Sequence, residues 1–268
     1  MSRARPRSTC PGEFFVSSSY LHILVKGLRA DLHECKHRPR GLKRRNLGVT
    51  SGCQTAGMPT RIVLVHGAAT TSRVWRRVVP LLDGFDVRCP DRESSGDLAG
   101  ELDALEPLCK GALVVGVSGG ATLGLALAAR GVGLAGAVLH EPAVGSLLPG
   151  LLDPMVAAYT SGGAPAFAAA LYGSAWTPAE ASADPGAVGR DLAMFRAFEP
   201  AAPATGEGPI LLTVGELSPP IRHESVRRLA AAFALPTAVL PGTSHAAHLE
   251  NPAELAAKIR ALATKTAA

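Results

Sequence analysis

One serine of the chain stands in a setting that could make it a nucleophile. Ser118 is the middle residue of a G-x-S-x-G pattern at 116–120, directly after an apolar run and directly before a run typical of a helix. In such a strand-turn-helix context the glycines allow a sharp backbone turn that exposes the serine hydroxyl. The sequence therefore predicts that Ser118 attacks a carbonyl carbon and that the amide of Gly119 stabilises the oxyanion that forms.

A serine hydroxyl becomes an effective nucleophile only when a base accepts its proton. His245 lies in a loop of small residues after the last predicted strand, where the base is expected if the chain order is Ser, acid, His. His248 is the alternative, but the neighbouring sequence 249–252 favours a supporting role for it. We therefore predict that His245 is the general base.

The loop after the first predicted strand offers a second donor for the oxyanion. Small residues follow His66 and Gly67 in this loop, so its backbone can approach a substrate closely. We assign the second donor to the amide of Ala68. His66 is interpreted as a structural residue that hydrogen-bonds within the loop.

The elements that must position these residues alternate in type along the chain. Near-continuous apolar runs separated by helical stretches are typical of parallel strands with crossover helices. The predicted strands are 61–65, 85–89, 112–117, 134–139, 209–214 and 237–240. The predicted helices are 72–82, 97–105, 119–130, 222–233 and 252–264.

A long insertion interrupts this alternation between the fourth and fifth predicted strands. The segment 148–208 is rich in Ala, Gly and Pro and contains helical patterns near 151–159, 165–172 and 187–198. Such an insertion is usually a functional lid or cap, although a packing layer with no role in substrate choice is the alternative. We predict an apolar substrate pocket that uses some of its aromatic residues together with one from the first helical stretch: Phe167, Tyr172, Trp176, Phe195 and Trp75.

The first 57 residues differ from the rest of the chain. They hold 11 Lys and Arg against 3 Asp and Glu, whereas the other 211 residues hold 16 against 19, so the net charge of +5 originates in this segment. It shows no helical or strand period, and we expect a basic, disordered extension before a single domain at 58–268. It also lacks the aromatic interleaving or amphipathic period of a nucleic-acid or membrane element.

Cysteine usage and motif content restrict the compartment and the partners. The five cysteines include no C-x-x-C pair, which favours a reducing, cytoplasmic location. The spacing of His33, Cys35 and His37 is a poor match for a closed zinc site. We predict no cofactor, no metal, no membrane span and no nucleic-acid partner. The expected partner is a small-molecule substrate, and the sequence indicates no particular oligomeric state.

Taken together in chain order, these motifs give residues 58–268 a specific resemblance. The segment is similar to α/β-hydrolase-fold proteins of the small esterase, lipase and epoxide-hydrolase type. The resemblance implies an α/β fold with a mostly parallel sheet, flanking helices and a helical cap insertion. Family members commonly begin with two further strands, which this chain lacks before its first strand, so about six strands are expected. The matching pieces are 63–67 with Trp75, 89–92, 116–120, 139–142, 212–216 and 242–245 with 249–252.

One departure from the family pattern concerns the acid that orients the base. Ser218 stands where the family usually has Asp after Gly-x-x. Glu141 ends the fourth predicted strand, the place where the similar haloalkane dehalogenases can carry this acid, and Glu216 ends the fifth. We favour Glu141 over Glu216 as the acid, and a dyad without an acid is the third reading.

The resemblance and the residues together predict a class of reaction. A serine at position 118 disfavours the epoxide-hydrolase and dehalogenase branches, because these use a carboxylate nucleophile there. The expected activity is hydrolysis of a small, apolar ester, thioester or lactone through an acyl-enzyme on Ser118. The alternative is a hydrolase-fold binding protein with weak or no turnover, and Ser218 is the observation that supports it.

Overall fold

Six parallel strands form the centre of the part of the chain that the computed structural model describes, residues 60–266. The predicted extension 1–57 lies outside the described residues. The strand order is β2-β1-β3-β4-β5-β6 and all five pairings are parallel, as the resemblance implied. The strands are Arg61–Val65 (β1), Asp86–Arg88 (β2), Leu113–Val117 (β3), Gly136–His140 (β4), Ile210–Gly215 (β5) and Thr237–Leu240 (β6).

The two central strands explain why the sheet forms from this sequence. β3 and β4 consist almost entirely of apolar residues, and every residue of both strands is buried. Buried parallel strands have this near-continuous apolar pattern because helices cover both faces of the sheet. The register pairs Val117 with His140, and Ser118 N–H donates to the His140 carbonyl at 2.9 Å. The residues that follow these strands, Ser118 and Glu141, therefore lie at the same edge of the sheet.

Helices connect the strands and cover the sheet. The helix that follows Ser118 is apolar and almost completely buried, and the N-cap Asp97 accepts hydrogen bonds from the first amides of the helix before it. No helix within residues 60–266 is long and apolar enough to cross a membrane. The helices are Leu98–Cys109 (α1), Gly119–Arg130 (α2), Asp153–Tyr172 (α3), Ala187–Ala197 (α4), Pro220–Phe233 (α5), Ala247–Glu250 (α6) and Pro252–Thr266 (α7).

The predicted helix 72–82 is wrong in type. The structure has two 3-10 helices there, Ser72–Arg77 and Val79–Leu82. Their hydrogen bonds span three residues, as in the bond from Val78 N–H to the Trp75 carbonyl at 2.9 Å. Pro80 has no N–H and so cannot donate an α-helical bond, which favours the tighter turn.

The predicted helices of the inserted segment 148–208 are present. α3 contains a break at Gly162 and Gly163, which separates the two predicted helical pieces. α4 is joined to the loop after β2 through Asp191, whose carboxylate forms a buried ion pair with Arg92 at 2.6 Å. Arg92 also donates to the His66 carbonyl at 3.1 Å, so one side chain joins the inserted segment to the loop after β1.

The close approach of α2 to β1 gives a first testable prediction. A Cβ at Gly120 would lie 1.9 Å from the Val65 carbonyl oxygen, and backbone on both sides leaves no flexible group that could move away. We expect Gly120→Ala to lower the free energy of unfolding by at least about 3 kcal/mol. Urea denaturation followed by circular dichroism measures this change.

Gly100→Ala in α1 is the matched control, because its added methyl would meet only the carboxylate of the N-cap Asp97, at 3.1 Å, and a shift of a few tenths of an ångström relieves that contact. Its free energy of unfolding should change by less than about 1 kcal/mol. Equal stability of the two variants would contradict the packing described for Gly120.

Candidate active site

Ser118 lies on a sharp turn between β3 and α2. Its φ of 56° and ψ of −121° are unusual for a residue with a side chain. A Cβ at Gly116 would lie 2.3 Å from backbone atoms of Gly120, so the chain can fold back on itself only with glycines at these positions. The predicted requirement for glycine on both sides of Ser118 is confirmed by this geometry.

Glu141 is the carboxylate that contacts the predicted base. It follows β4, is fully buried, and its Oε2 lies 2.7 Å from Nδ1 of His245. Its other oxygen, Oε1, accepts hydrogen bonds from Gly215 N–H at 3.0 Å and from the Ser218 hydroxyl at 2.5 Å. The carboxylate is therefore held from three directions, and one of these contacts orients His245.

The two alternatives for the acid are placed elsewhere. Glu216 turns away from His245 and accepts a hydrogen bond from Gly242 N–H at 2.8 Å. Ser218 occupies the position at which the family pattern has Asp, and it serves Glu141 as a hydrogen-bond donor. The geometry thus brings Glu141, and not Glu216, to the imidazole of His245.

The contact with Glu141 fixes the tautomer of His245. A carboxylate oxygen can only accept, so Nδ1 carries the proton and Nε2 has a free lone pair. Nε2 is buried and has no hydrogen-bond partner among residues 60–266. Burial and the nearby charge of Arg222 outweigh the hydrogen bond from Glu141 and lower the pKa of His245 to about 4. His245 is therefore neutral at physiological pH and able to accept a proton.

His140 holds the loop that carries the base. Its Nε2 donates to the Ser244 carbonyl at 3.1 Å, and its Nδ1 accepts from the Thr213 hydroxyl at 3.0 Å. Ser244 N–H and its hydroxyl in turn donate to the carboxylate of Glu250 at 2.5 and 2.6 Å. The position of His245 is thus fixed by neighbours on β4, β5 and α6.

The buried charge of Glu141 needs compensation. Burial alone would raise the pKa of Glu141, but the neighbouring His140, the hydrogen bond with His245 and the charge of Arg222 together hold it well below its usual range. Burial lowers the pKa of both histidines, so Arg222 is the group of the three that stays charged at neutral pH. Its Nε lies 3.9 Å from Oε2 of Glu141.

The two predicted oxyanion donors line one cavity together with Ser118. Gly119 is the first residue of α2, where an amide has no acceptor within its helix, and Ala68 follows the turn after β1. The Ala68 carbonyl accepts the Tyr172 hydroxyl at 2.8 Å, and the Ala69 carbonyl accepts Trp176 Nε1–H at 3.0 Å. Both aromatic residues come from the inserted segment, so this segment holds the loop that would provide the second donor.

The histidines beside the predicted base and oxyanion loop have structural contacts. His66 Nδ1 lies 3.0 Å from the Gly67 carbonyl, and His66 Nε2 accepts Arg92 N–H at 3.0 Å. His248 is buried, with its ring 5.1 Å from the ring of Trp75. These contacts agree with the supporting roles predicted for both histidines.

The cavity beside Ser118 is small and mostly apolar. Its volume of about 20 Å³ holds roughly one water molecule. A ring carbon of Phe195 lies 2.4 Å from the point where a Cβ of Gly119 would stand, so this ring covers the start of α2. The lining residues are Ala68, Ser118, Gly119, Thr122, Glu141, Ala143, Leu152, Met155, Phe167, Leu171, Leu192, Phe195 and Arg222.

Of the five predicted pocket residues, two line the cavity and three have other contacts. Phe167 and Phe195 line the cavity, whereas Tyr172 and Trp176 use their polar atoms on the loop after β1. The Tyr172 ring nevertheless stands 5.8 Å from the ring of His245. Trp75 is fully buried against His248 and does not line the cavity, because the 3-10 helix turns it into the core. A substrate contact for Trp75 is therefore corrected to a packing role.

Sequence reasoning missed two residues that the structure brings to the site. Ser218 drew attention only as a missing acid, although a hydroxyl can serve a neighbouring carboxylate. Arg222 carried a readable signal, since it lies on the same face of α5 as the buried Val226 and Leu229. A charged residue on an apolar helix face is expected to have a specific partner.

Within residues 60–266 no group of three or more His, Cys, Asp or Glu side chains is arranged to hold a metal ion. The candidate ligands His33, Cys35 and His37 lie outside the described residues.

Comparisons with known proteins agree with this architecture. The model of the Alpha/beta hydrolase family matches residues 62–258. An enol-lactonase from Burkholderia xenovorans is similar with a TM-score of 0.62 at 20% identity, covering 79% of this chain and 94% of that one. A lipase-esterase related protein from Clostridium acetobutylicum has a TM-score of 0.61 at 14% identity, covering 77% and 95%. A carboxylesterase from Bacillus subtilis has a TM-score of 0.55 at 15% identity, covering 76% and 83%. No curated protein sequence matches the chain.

The contacts of the two carboxylates give a second prediction. Glu141→Gln removes the charge that orients the imidazole, so the rate of Ser118 labelling by a fluorophosphonate should fall by roughly 1,000-fold. Glu216→Gln is the matched control and should label at the rate of the parent. Intact-mass spectrometry over time measures both rates. An equal loss in the two variants, with circular dichroism spectra unchanged, would contradict the assignment of Glu141.

The environment of His245 gives a third prediction, for the dependence on pH. The base works only when unprotonated, so its activity is present above its pKa and is lost as pH falls through that value. With a pKa of about 4, the labelling rate of Ser118 should be level through neutral pH and half-maximal near pH 4. A midpoint near the ordinary histidine value, about 6.5, would show that the imidazole is solvated during the reaction.

Proposed function

The chain belongs to the alpha/beta hydrolase family, and from its site we propose that it is a serine hydrolase of small, mainly apolar esters, thioesters or lactones. The observation that carries the proposal is the 2.7 Å contact between Glu141 and Nδ1 of His245, which leaves Nε2 unprotonated and free. A base in this state is what a serine nucleophile requires.

Acylation begins when a substrate carbonyl reaches Ser118. His245 Nε2 accepts the hydroxyl proton as Oγ attacks the carbonyl carbon, and Glu141 stabilises the imidazolium that results. The oxyanion accepts hydrogen bonds from the amides of Gly119 and Ala68. The imidazolium then returns its proton to the leaving group, and the acyl group stays on Ser118.

Deacylation repeats these steps with water. His245 accepts a proton from a water molecule, whose oxygen attacks the acyl carbon, and the second oxyanion is stabilised by the same amides. Collapse of this intermediate returns the proton to Ser118 Oγ and releases the acid. The free Nε2 in this structure is consistent with such a cycle, since catalytic hydrogen bonds often form only with substrate in place.

The inserted segment supports an apolar substrate and a role as a cap. Leu152, Met155, Phe167, Leu171 and Phe195 bring carbon surface to the cavity beside Ser118. With room for roughly one water molecule, the cavity accepts an acyl chain when side chains of this segment move. We assign substrate selection to this segment for that reason.

The binding-protein alternative depended on the missing acid at position 218. Ser218 donates to Glu141, and Glu141 contacts His245, so the substitution accompanies a carboxylate in another place and not its loss. No other observation favours a site without turnover. The proposal therefore remains with hydrolysis.

The proposed location is the cytoplasm, as cysteine usage predicted. Cys89 and Cys109 are free thiols within the described residues. Burial raises the pKa of Cys89 to about 11 and that of Cys109 to about 12, so both stay protonated and unreactive at neutral pH.

A fourth prediction tests the nucleophile directly. The full chain treated with a fluorophosphonate should gain one adduct, which peptide mapping places on Ser118. Ser118→Ala should gain none, and His245→Ala should react at least about 1,000-fold more slowly. The parent should also hydrolyse ethyl esters of short acids, and Ser118→Ala should not.

Labelling of a residue other than Ser118 would overturn the proposed mechanism. So would a folded parent protein that takes up no adduct over hours at neutral pH, because His245 is then unable to activate the serine.

A further inference from the structure

A buried arginine lines the same cavity as Ser118, and the proposed reaction gives it no part beyond its charge near Glu141. Arg222 is 7% exposed and lies in the first turn of α5, on the face that carries Val226 and Leu229 into the core. Of the residues that line the cavity, only Arg222 and Glu141 carry a charge. A charge in this position needs an explanation, because burying an arginine is costly unless its donors are satisfied.

Glu141 does not satisfy these donors. Its Oε1 accepts from Gly215 and Ser218, and its Oε2 accepts from His245, all between 2.5 and 3.0 Å. The nearest approach of Arg222 to this carboxylate is 3.9 Å, which is too long for a hydrogen bond. A well-formed arginine-carboxylate pair has two parallel bonds of about 2.8 Å.

Arg92, a second buried arginine, has acceptors for its guanidinium donors. Arg92 contacts Asp191 at 2.6 Å, Glu101 at 3.3 Å and the His66 carbonyl at 3.1 Å. Arg222, by contrast, makes no side-chain hydrogen bond with any residue in the described range 60–266, and the negative charge that acts on it is that of Glu141. Its guanidinium therefore offers a planar set of donors to the cavity.

We infer that Arg222 binds a carboxylate on the acyl part of the substrate, so that the preferred substrate is an ester or lactone whose acyl chain carries a second, free carboxylate. This inference rests on the proposed serine hydrolase function and narrows its substrate class. The guanidinium is permanently charged and its fork matches the two oxygens of a carboxylate. The apolar side chains of the inserted segment would contact the methylene groups between the two ends.

The test compares charged and neutral esters of equal size. Monoethyl esters of succinate, glutarate and adipate are each paired with the ester in which a carboxamide replaces the free carboxylate. For at least one chain length, the parent enzyme should hydrolyse the charged ester with a kcat/KM at least tenfold above that of its neutral partner. Ethanol release measures both rates.

Variants of Arg222 separate binding from positioning. In Arg222→Gln the ratio of the two kcat/KM values should fall to near one, and in Arg222→Lys it should be intermediate. Arg228→Gln, which removes a charge from the exposed face of the same helix, should keep the ratio of the parent. The ratio is insensitive to any common loss of activity, so it stays informative if Arg222→Gln also disturbs Glu141.

Several results would overturn the inference. A ratio of one or less at every chain length in the parent would do so without any variant, as would an unchanged ratio in Arg222→Gln. An equal loss for charged and neutral esters, from a parent ratio of one, would make Arg222 a positioning residue for Glu141.

Failure of the proposed function gives a different result, which is the absence of fluorophosphonate labelling at Ser118. This labelling does not depend on the ester. If Ser118 is labelled but no ester of the series is hydrolysed, glutarate should still slow the labelling of the parent and not of Arg222→Gln. Absence of this protection overturns the carboxylate site while the serine mechanism stands.

Discussion

The candidate site depends on one buried carboxylate at the edge of the sheet. Glu141 brings together Gly215 at the end of β5, Ser218 before α5, and His245 in the loop after β6. A carboxylate without these partners would be strongly destabilised by burial, and each partner would lose its bond without the carboxylate. The arrangement of these segments around Ser118 and the ionised state of Glu141 therefore depend on each other.

The backbone also packs unusually closely around Ser118. Glycines at 116 and 120 let α2 start against β1, and the bond from Ser118 N–H to the His140 carbonyl places Ser118 beside the strand that Glu141 follows. On the other side, Arg92 joins the loop after β1 to α4. The position of Ser118 is thus determined by strand register and helix approach, and the position of the loop after β1 by a side-chain network.

The difference between backbone packing and side-chain networks explains how much could be predicted from the sequence. The six strands, the turn at Ser118 and the choice of His245 as the proposed base follow from local patterns, because apolar runs and glycines act on the backbone near them in sequence. The choice between Glu141 and Glu216 could not be made from pattern alone, since both residues end a predicted strand. The loop after β6 reaches back across the end of β5 to β4, where Ser244 accepts from His140 and His245 contacts Glu141, and this path is a property of the folded chain.

Side chains that bind across the structure were the least predictable. Trp75 and Trp176 were both predicted to contact the substrate. A 3-10 helix turns Trp75 into the core, and Trp176 donates to the Ala69 carbonyl. Their roles depend on how the short 3-10 helices Ser72–Arg77 and Gly173–Ala175 orient the backbone, which composition does not encode. Arg222 is different, because a charge on an apolar face of α5 is visible in the sequence once the helix is known.

The presence of the acid at position 141 and of serine at position 218 follows a physical rule and not a positional one. His245 needs a carboxylate oxygen near 2.7 Å from Nδ1, and the side chain that provides it can come from either of two adjacent strand ends. When the carboxylate comes from β4, its second oxygen faces position 218, where another carboxylate would add a repelling charge and a hydroxyl adds a donor. A neutral donor such as the Ser218 hydroxyl therefore suits position 218 when the carboxylate is Glu141.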